Sequence, residues 1–423
     1  MPANPPGTPS PTEPGTEPAP PTDASSGSGP LAGIRVVDLT RALAGPYATL
    51  MLADAGAEVI KVERPDTGDD SRGWGPPFVG PDDDPQSTYF LAINRSKRSV
   101  TLDLKDDDDL ERLRRLIADA DVLVDNFRPG VMERLGLGPE ALEALNERLV
   151  VLSISGFGEG GPDGERSGFD QIIQGEAGLM AITGDVGGTP TKFGVPITDI
   201  LAGMFGAYGV VSALHERSRT GRGQRVSTSL LASAVAVHAY QGTRWSLGGE
   251  LPEPGGNRHP TIAPYGAFTC ADGWVNIAVG SEGLWRRFAP LVGMDPDEPR
   301  YATNRDRVGR WDELEAELNA ILVAETVDHW MEVLTEAGVP AGRIRTMDQV
   351  YTSPQLEHLG MIQHLAHPTA GDLTLPGPPV GWSRSGTGVP APPPLLGEHD
   401  DLVWSDPDGD VGSGRDGDVD ATS

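Results

Sequence analysis

The sequence predicts an α/β protein with a mostly parallel sheet in a large domain and a second, smaller α/β domain, on three observations. A chain of 423 residues is typical of two or three domains. From residue 31, short β-branched runs alternate with helical segments, as in repeated strand–helix–strand units. Further along, two short runs joined by a turn predict a hairpin, and helical segments follow it.

The first strand–helix–strand unit occupies the start of the large domain. Ile34–Leu39 predicts a strand, Tyr47–Ala55 a helix and Glu58–Val62 the next strand. The turn between strand and helix has one glycine, Gly45, and no G-x-G-x-x-G motif, which disfavours a nicotinamide dinucleotide site. Because such sheets bind ligands at the carboxyl ends of their strands, this turn is still a candidate binding segment.

The alternation continues through the large domain. It predicts further strands at 99–104, 122–124 and 150–154, and helices at 107–120 and 139–148. A Pro196-Ile-Thr-Asp199 segment then opens an apolar helix that runs to about Arg217, with Thr198 or Asp199 as its N-cap. Three glycines, at 203, 206 and 209, leave one face of this helix bare, so another backbone can pack closely there.

A second apolar helix is predicted over Ser227–Tyr240, and the smaller domain follows. Its hairpin is predicted from Ala267–Cys270 and Trp274–Val279, and its helices at 284–292, 312–324 and 327–337. Residues 350–400 have no long periodicity and are expected to return to the first domain. The predicted division is a disordered proline-rich tail (1–30), a large domain (31–225), a linker helix and small domain (226–345), a return segment (346–404) and a disordered acidic tail (405–423).

The formal net charge of −29 constrains the possible partners. A chain this acidic repels the phosphates of nucleic acids and anionic lipids. We therefore expect neither a nucleic acid nor a membrane as a partner. The longest apolar candidate span, Ile200–Leu214, is shorter than the roughly 20 residues of a membrane-crossing helix. The single cysteine, Cys270, excludes an internal disulfide, and no metal-ligand spacing occurs, so no metal site is predicted.

Asp199 is the candidate reactive residue. At a helix N-terminus, backbone N–H groups and the helix dipole favour an ionised carboxylate. Such a carboxylate can attack an acyl group, but local sequence alone favours an ordinary capping residue, because caps of this kind are very common.

Basic residues are scarce and several follow or flank strands of the predicted sheet. They are Arg64, Lys97, Arg98, Lys105, Arg128 and Arg134. In an acidic protein they would form a local positive rim suited to phosphates, or they are solvated charges paired with nearby acids. The Asp-, Gly- and Pro-rich stretch between Arg64 and Ser99 is expected to be an exposed loop that covers a ligand.

Seven motifs together resemble the class III CoA-transferases, the family of formyl-CoA transferase and carnitine CoA-transferase. They are LAGIRVVDLTRALAGPYATLMLADAGAEVIKVERP (31–65), NRSKRSVTLDLK (94–105), DVLVDNFRPGVMERLG (121–136), SISGFGEGGP (153–162), TGRGQRV (220–226), GNRHPTIAPYGAF (256–268) and PLLGEHDD (394–401). They occur in order between about 31 and 402, so the resemblance covers almost the whole chain outside the predicted tails.

The resemblance implies a Rossmann-like large domain, a small domain and an interlocked homodimer. It places the catalytic aspartate of the family at Asp199, within VPITDILAG. The CoA contacts of the family correspond to Leu43, Ala44, Arg64, Leu102, Lys105, Asn126, Phe127, Arg128 and Arg134. Asp170 lies where some members have a glutamate near the site, and Gly255-Gly256 begins the substrate loop. In that loop Arg258 is a candidate partner for an acceptor carboxylate.

The same superfamily contains α-methylacyl-CoA racemases, which use an aspartate and a histidine in a Gly-His-Asp motif. This chain has Gly168-Phe169-Asp170 instead. Racemisation needs an acid and a base flanking the α-carbon, and phenylalanine cannot transfer a proton. The alternative of a racemase or epimerase is therefore disfavoured.

The resemblance implies CoA transfer from an acyl-CoA thioester to a free carboxylic acid, through an aspartyl anhydride and an aspartyl-CoA thioester. No tightly bound cofactor is expected, because coenzyme A enters as part of the substrate. A cytoplasmic location is also expected. The sequence identifies neither the donor nor the acceptor acid.

Overall fold

The computed structural model describes residues 28–404, and side chains only as far as Leu402. The predicted acidic tail and residues 1–27 of the proline-rich tail lie outside the described residues. Ser28–Pro30, also assigned to that tail, are described and bonded to the body of the protein. The Ser28 hydroxyl donates to the carbonyl oxygen of Thr387 (2.8 Å), and the next residues lie against Ala55.

Thirteen strands and sixteen α-helices occur in the described part of the chain. The strands are β1 Arg35–Asp38, β2 Glu58–Glu63, β3 Phe78–Val79, β4 Gln86–Ser87, β5 Lys97–Thr101, β6 Val122–Asp125, β7 Val150–Ser155, β8 Arg225–Ser229, β9 Tyr265–Thr269, β10 Trp274–Ala278, β11 Ala341–Arg343, β12 Ile362–His367 and β13 Gly371–Pro376. The helices are α1 Ala44–Asp54, α2 Thr88–Ile93, α3 Asp107–Ala118, α4 Val131–Arg134, α5 Pro139–Leu145, α6 Asp170–Glu176, α7 Ile197–Thr220, α8 Leu230–Ala236, α9 Ala239–Ser246, α10 Glu282–Leu291, α11 Asn304–Gly309, α12 Trp311–Leu322, α13 Val327–Glu336, α14 Met347–Tyr351, α15 Pro354–His358 and α16 Asp401–Trp404.

The large domain is built on a six-stranded sheet with the order β5-β2-β1-β6-β7-β8. Every neighbouring pair is parallel, as the alternation predicts. Successive strands are added to one side of β1 and then, from β6, to the other side. The strand order therefore reverses between β1 and β6, where parallel α/β sheets open a crevice for a ligand.

The predicted helix over Ser227–Tyr240 is wrong at its start. Residues Arg225–Ser229 form the edge strand β8, paired in parallel with β7. Exposed and less exposed side chains alternate along β8. Because Ser227 and Thr228 are polar, the sequence lacks the alternation of apolar and polar residues that would predict a strand. The Ser229 hydroxyl then accepts from the Ala232 N–H (3.0 Å), which begins α8.

The glycine face of α7 permits the predicted close packing, with Gly203 against α1 and with Gly206 and Gly209 against side chains of β7 and β8. A Cβ built on Gly203 would lie 2.7 Å from the carbonyl oxygen of Ala44, so any larger residue would force the two helices apart. Asp199 lies one turn before Gly203 and is therefore held beside the start of α1.

The length of α7 corrects the argument about membranes. The helix has 24 residues and is long and apolar enough to cross a membrane by length and composition. That is weak evidence, because core helices meet the same condition. Ala202, Ala207 and Val210 of α7 are buried in the main core with residues of the sheet and α1.

The small domain has its own hydrophobic core. Strands β9, β10 and β11 form an antiparallel sheet, which confirms the predicted hairpin and adds a third strand. Trp285, Phe288 and Leu318 are buried against this sheet.

Beyond the small domain the chain lies against the large one. Leu373 of the β12–β13 hairpin packs with Leu91 of α2. The His399 N–H donates to the carbonyl oxygen of Ser99 (2.9 Å), and Asp400 accepts from the hydroxyl of Thr101 (2.8 Å). These contacts are those expected of a return segment.

Candidate active site

A cleft of about 710 Å³ opens at the carboxyl edge of the large sheet, where the strand order reverses. Its walls are the segments that follow β1, β6 and β7, together with the starts of α6 and α7. It brings together seven of the predicted site residues, Leu43, Ala44, Asn126, Phe127, Arg128, Asp170 and Asp199.

The turn after β1 is fixed to the segment after β6. The Asn126 side-chain amide donates to the carbonyl oxygen of Arg41 (2.8 Å), and its oxygen accepts from the Arg41 N–H (3.0 Å). The Arg41 guanidinium lies 5.8 Å from the centre of the Phe127 ring. Two neighbouring strand ends therefore form one rigid wall of the cleft.

Asp199 lies in the first turn of α7 and lines the cleft, where its side chain is half-buried. No hydrogen bond or ion pair to its carboxylate occurs within the described residues. Burial, and then the nearby charge of Asp170, raise the pKa of Asp199 to about 7. The sequence argument, in which the helix N-terminus favours the ionised form, is therefore outweighed by desolvation and a like charge.

Asp170 begins α6 and connects it to the start of α7. Its Oδ1 atom accepts from both the N–H and the hydroxyl of Thr198 (2.9 Å each). Its Oδ2 atom accepts from the side-chain amide of Gln174 (2.7 Å). Asp170 thus anchors Thr198, the residue before Asp199, and its charge also raises the pKa of Asp199.

Four predicted CoA contacts do not line this cleft, and their role stays a prediction. Arg64 is half-exposed and bonded to Asp70, which does line the cleft. The side chain of Leu102 is buried in the core, and its N–H donates to the carbonyl oxygen of Glu63 (3.0 Å), so only its carbonyl oxygen is available to a ligand. Lys105 and Arg134 are exposed.

The predicted positive rim loses Lys97. Its side chain is fully buried, and its ammonium donates to Asp38 (3.3 Å), to the carbonyl oxygen of Pro46 and to Asn94. Lys61 is likewise buried, 2.8 Å from Asp69. Both lysines lie buried beneath the turn after β1 and stabilise it. They therefore cannot bind a phosphate at the surface.

Arg98 is also a poor candidate for the rim. It lies near the amino end of β5, and its guanidinium is 2.8 Å from Glu58. Arg98 therefore fits the alternative stated above, in which a basic residue is a surface charge paired with a nearby acid.

The predicted substrate loop lies beside the cleft and not in its wall. The Gly256 N–H donates to the carbonyl oxygen of Gly184 (2.9 Å), and Gly255 lies next to it. Arg258, the candidate partner for an acceptor carboxylate, pairs with Asp312 (2.6 Å) and with Glu315, so its role toward an acceptor stays a prediction.

Several lining residues were not singled out from the sequence. They are Arg41, Trp74, Tyr89, Arg166 and Lys192. Trp74 and Tyr89 come from the Asp-, Gly- and Pro-rich stretch that was expected to cover a ligand, and their rings meet edge to face at 5.0 Å. Burial, followed by the charges of Asp199 and Asp170, raises the pKa of Tyr89. Tyr89 lines the same cleft as these two carboxylates.

Phe169 lines the cleft with 68% of its surface exposed. It occupies the position that the racemases fill with histidine, and no histidine is among the residues that line the described cleft. Between residues 28 and 404, no group of three or more His, Cys, Asp or Glu side chains could hold a metal ion.

Comparison with known proteins gives a consistent result. Residues 31–400 match the sequence profile of a family described as CoA-transferase family III. The chain is 38% identical to the Homo sapiens succinyl-CoA:glutarate CoA-transferase over 88% of this chain and 84% of that protein. It is 40% identical to a succinate–glutarate CoA-transferase of Agrobacterium fabrum, over 91% of this chain and 97% of the relative. Its fold matches the crystal structure of a CAIB/BAIF family protein from Brucella suis, with a TM-score of 0.81 and 38% identity over 89% of this chain and 98% of that one.

Proposed function

The chain belongs to CoA-transferase family III, and on that premise we propose that Asp199 is the nucleophile through which it transfers CoA. The protein is a CoA-transferase that acts on CoA thioesters and carboxylic acids. One observation supports the role of Asp199: it presents an unbonded, half-buried carboxylate to the cleft.

The environment of Asp199 suits nucleophilic attack. A carboxylate that water and hydrogen-bond donors do not solvate is a stronger nucleophile, since less solvation must be removed before it attacks. Desolvation also protects an anhydride or thioester from hydrolysis. The positions of Asp170 and Thr198 fix the backbone that presents Asp199, so the group is oriented before the substrate arrives.

The proposed reaction proceeds by four acyl-transfer steps. The Asp199 carboxylate attacks the thioester carbonyl, the C–S bond breaks, and a mixed anhydride and CoA thiolate form. The thiolate attacks the aspartyl carbonyl, which releases the donor acid and leaves an aspartyl-CoA thioester. The acceptor carboxylate attacks this thioester and displaces the thiolate. The thiolate then attacks the acceptor carbonyl of the new anhydride, which regenerates Asp199 and forms the product thioester.

We place the CoA moiety along the wall formed by Leu43, Ala44 and the segment 126–128. Arg128 is exposed in this wall and is suited to a phosphate. For the acids, the two curated relatives act on succinyl-CoA, succinate or glutarate by their names. We therefore propose dicarboxylic acids as the substrate class of this chain.

We also propose the homodimer, interlocked as the resemblance implies, and the cytoplasmic location. Large apolar side chains are exposed on the outer face of α7 and on the segment after it, among them Tyr208 (73% exposed) and Leu247 (84%). An apolar patch of this kind is typical of a protein interface. Light scattering should give twice the chain mass of 44.6 kDa. A monomer at micromolar concentration would contradict the dimer.

The role of Asp199 is tested by trapping. Incubation with an acyl-CoA and hydroxylamine should convert Asp199 to a hydroxamate that peptide mass spectrometry detects. Asp199→Asn should lower the transfer rate about 10³-fold or more, because the nucleophile is lost. Asp372→Asn, at an exposed position outside the cleft, is the matched control.

Full activity of Asp199→Asn, or an adduct on another residue, would contradict the proposal. Solvent deuterium entering the α-carbon without an acceptor acid would instead indicate a racemase.

A further inference from the structure

Lys192 lies in the wall of the cleft that holds Asp199. We propose that its ammonium binds the distal carboxylate of a dicarboxylic acceptor and so makes the enzyme select dicarboxylic over monocarboxylic acids. This inference rests on the proposed function, in which the near carboxylate of the same acceptor reacts at Asp199. Neither the sequence motifs nor the comparisons assign a role to Lys192.

Two of the other three cleft cations, Arg41 and Arg166, already have carboxylate partners. The Arg41 guanidinium is paired with Asp70 (3.4 Å). Arg166 is paired with Asp163 (3.1 Å) and with Glu176, and its guanidinium also stacks on an aromatic ring. Arg128, the remaining arginine in the lining, belongs to the wall that we assign to CoA.

Lys192 has no such partner in the described residues. Its side chain is exposed, and its one polar contact is from the ammonium to the carbonyl oxygen of Phe193 (3.3 Å). An incoming carboxylate can therefore bind the Lys192 ammonium without first breaking an existing ion pair. In a chain with a net charge of −29, an unneutralised ammonium facing a cleft is a specific attraction for an anionic substrate group.

The backbone around Lys192 is fixed relative to the reactive carboxylate. The Phe193 N–H donates to the side-chain oxygen of Gln174 (2.8 Å), which is fully buried. The amide of Gln174 donates to Asp170, the residue that anchors the start of α7. On the other side, the Thr191 N–H donates to the carbonyl oxygen of Thr183 (3.3 Å).

These bonds place a cation and a nucleophile on one connected framework but apart from each other. No ion pair within 4 Å joins Lys192 to Asp199 or Asp170 in the described residues. In this proposal a carbon chain with a carboxylate at each end bridges the two groups across the cleft that both of them line. A monocarboxylic acid would leave the ammonium without its partner.

The test compares two acceptors of nearly equal shape, glutarate and its monoamide, with acetyl-CoA as a donor that has no distal carboxylate. In the wild-type enzyme, kcat/KM should be at least about tenfold higher for glutarate. In Lys192→Gln the KM for glutarate should rise about tenfold or more, whereas the values for the monoamide and for acetyl-CoA should stay within about twofold. Lys192→Arg should recover part of the preference. Arg305→Gln removes one positive charge from an exposed side chain of the small domain and should change neither acceptor.

The outcomes separate the two proposals. Equal wild-type use of glutarate and the monoamide, or an equal loss with both in Lys192→Gln, overturns the role of Lys192 while CoA transfer through Asp199 stands. A rise in the KM for acetyl-CoA alone assigns Lys192 to CoA and also overturns it. Loss of the hydroxamate at Asp199 with intact transfer contradicts the proposed function independently of Lys192.

Discussion

Asp38 and Asp199 are two carboxylates on either side of the same turn, and their surroundings are opposite. Burial alone would raise the pKa of Asp38, yet Lys97, Lys61 and the hydroxyls of two threonines bring it down to about 2. Burial also raises the pKa of Asp199, and no cation opposes it, so it reaches about 7. The same desolvation therefore ends in opposite shifts because only one carboxylate has partners.

The difference indicates what each charge contributes. Asp38 accepts from the Thr49 hydroxyl (2.6 Å) and from Lys97, so its polar capacity is used within the protein and stabilises the turn. Asp199 and Lys192 are left without a partner of opposite charge, and a substrate can supply one. The paired Asp38 and Lys97 lie behind the turn and do not line the cleft, whereas the unpaired Asp199 and Lys192 line it.

The largest expected effect is on stability, when the buried ion pair between Asp38 and Lys97 is broken. Lys97→Met removes the cation next to Asp38 and should lower the free energy of unfolding by about 3–5 kcal/mol, because a buried charge loses its partner. Denaturant titration measures this. Arg222→Gln, which breaks an exposed pair with Glu143, should change it by less than about 1 kcal/mol. Equal effects of the two substitutions would refute the distinction between the two kinds of charge.

Substitution of the unpaired Asp199 should have the opposite effect and raise the free energy of unfolding. Asp199 has a folded pKa of about 7 against an ordinary aspartate pKa of 3.8, so folding becomes less favourable as the pH rises from about 4 to 7. Asp199→Asn removes that penalty. At pH 8 it should raise the free energy of unfolding by about 1–2 kcal/mol, after allowance for partial exposure.

The pH dependence supplies the control for this prediction. The gain should shrink through the window from pH 7 to pH 4, where the wild-type carboxyl becomes protonated in both states. A gain that does not depend on pH, or a loss of stability at pH 8, would show that Asp199 is not strained by its environment.

The sequence predicts the elements whose burial follows a regular period. The helix α3 was expected from 107 to 120 and runs from Asp107 to Ala118, with Leu113 and Ile117 buried one turn apart. Strand β8 was missed because Ser227 and Thr228 give no apolar signal at a sheet edge. Edge position is a tertiary property, and local residues do not encode it.

The site shows the same division. The resemblance assigns Asp199, and local sequence alone leaves it as a possible cap. Lys97 was expected at the surface because it flanks a strand, but its partners Asp38, Pro46 and Asn94 come from segments as many as 59 residues away. Lys192 has no motif around it, and only the folded loop brings it to the cleft.

The smallest expected effect concerns how the two carboxylates of the cleft influence each other. Asp170→Asn removes the like charge that raises the pKa of Asp199, so the acid limb of kcat/KM should move from near pH 7 to lower pH by about one unit or less. The asparagine oxygen can still accept from Thr198, so the start of α7 keeps its anchor. A pH–rate profile measures the shift, with Asp372→Asn as the control for loss of one exposed carboxylate. A lower kcat with an unmoved acid limb would assign Asp170 to positioning alone. A limb that moves to higher pH would mean that the Asp170 charge does not destabilise the carboxylate of Asp199, and the contrast with the paired Asp38 would then rest on burial alone.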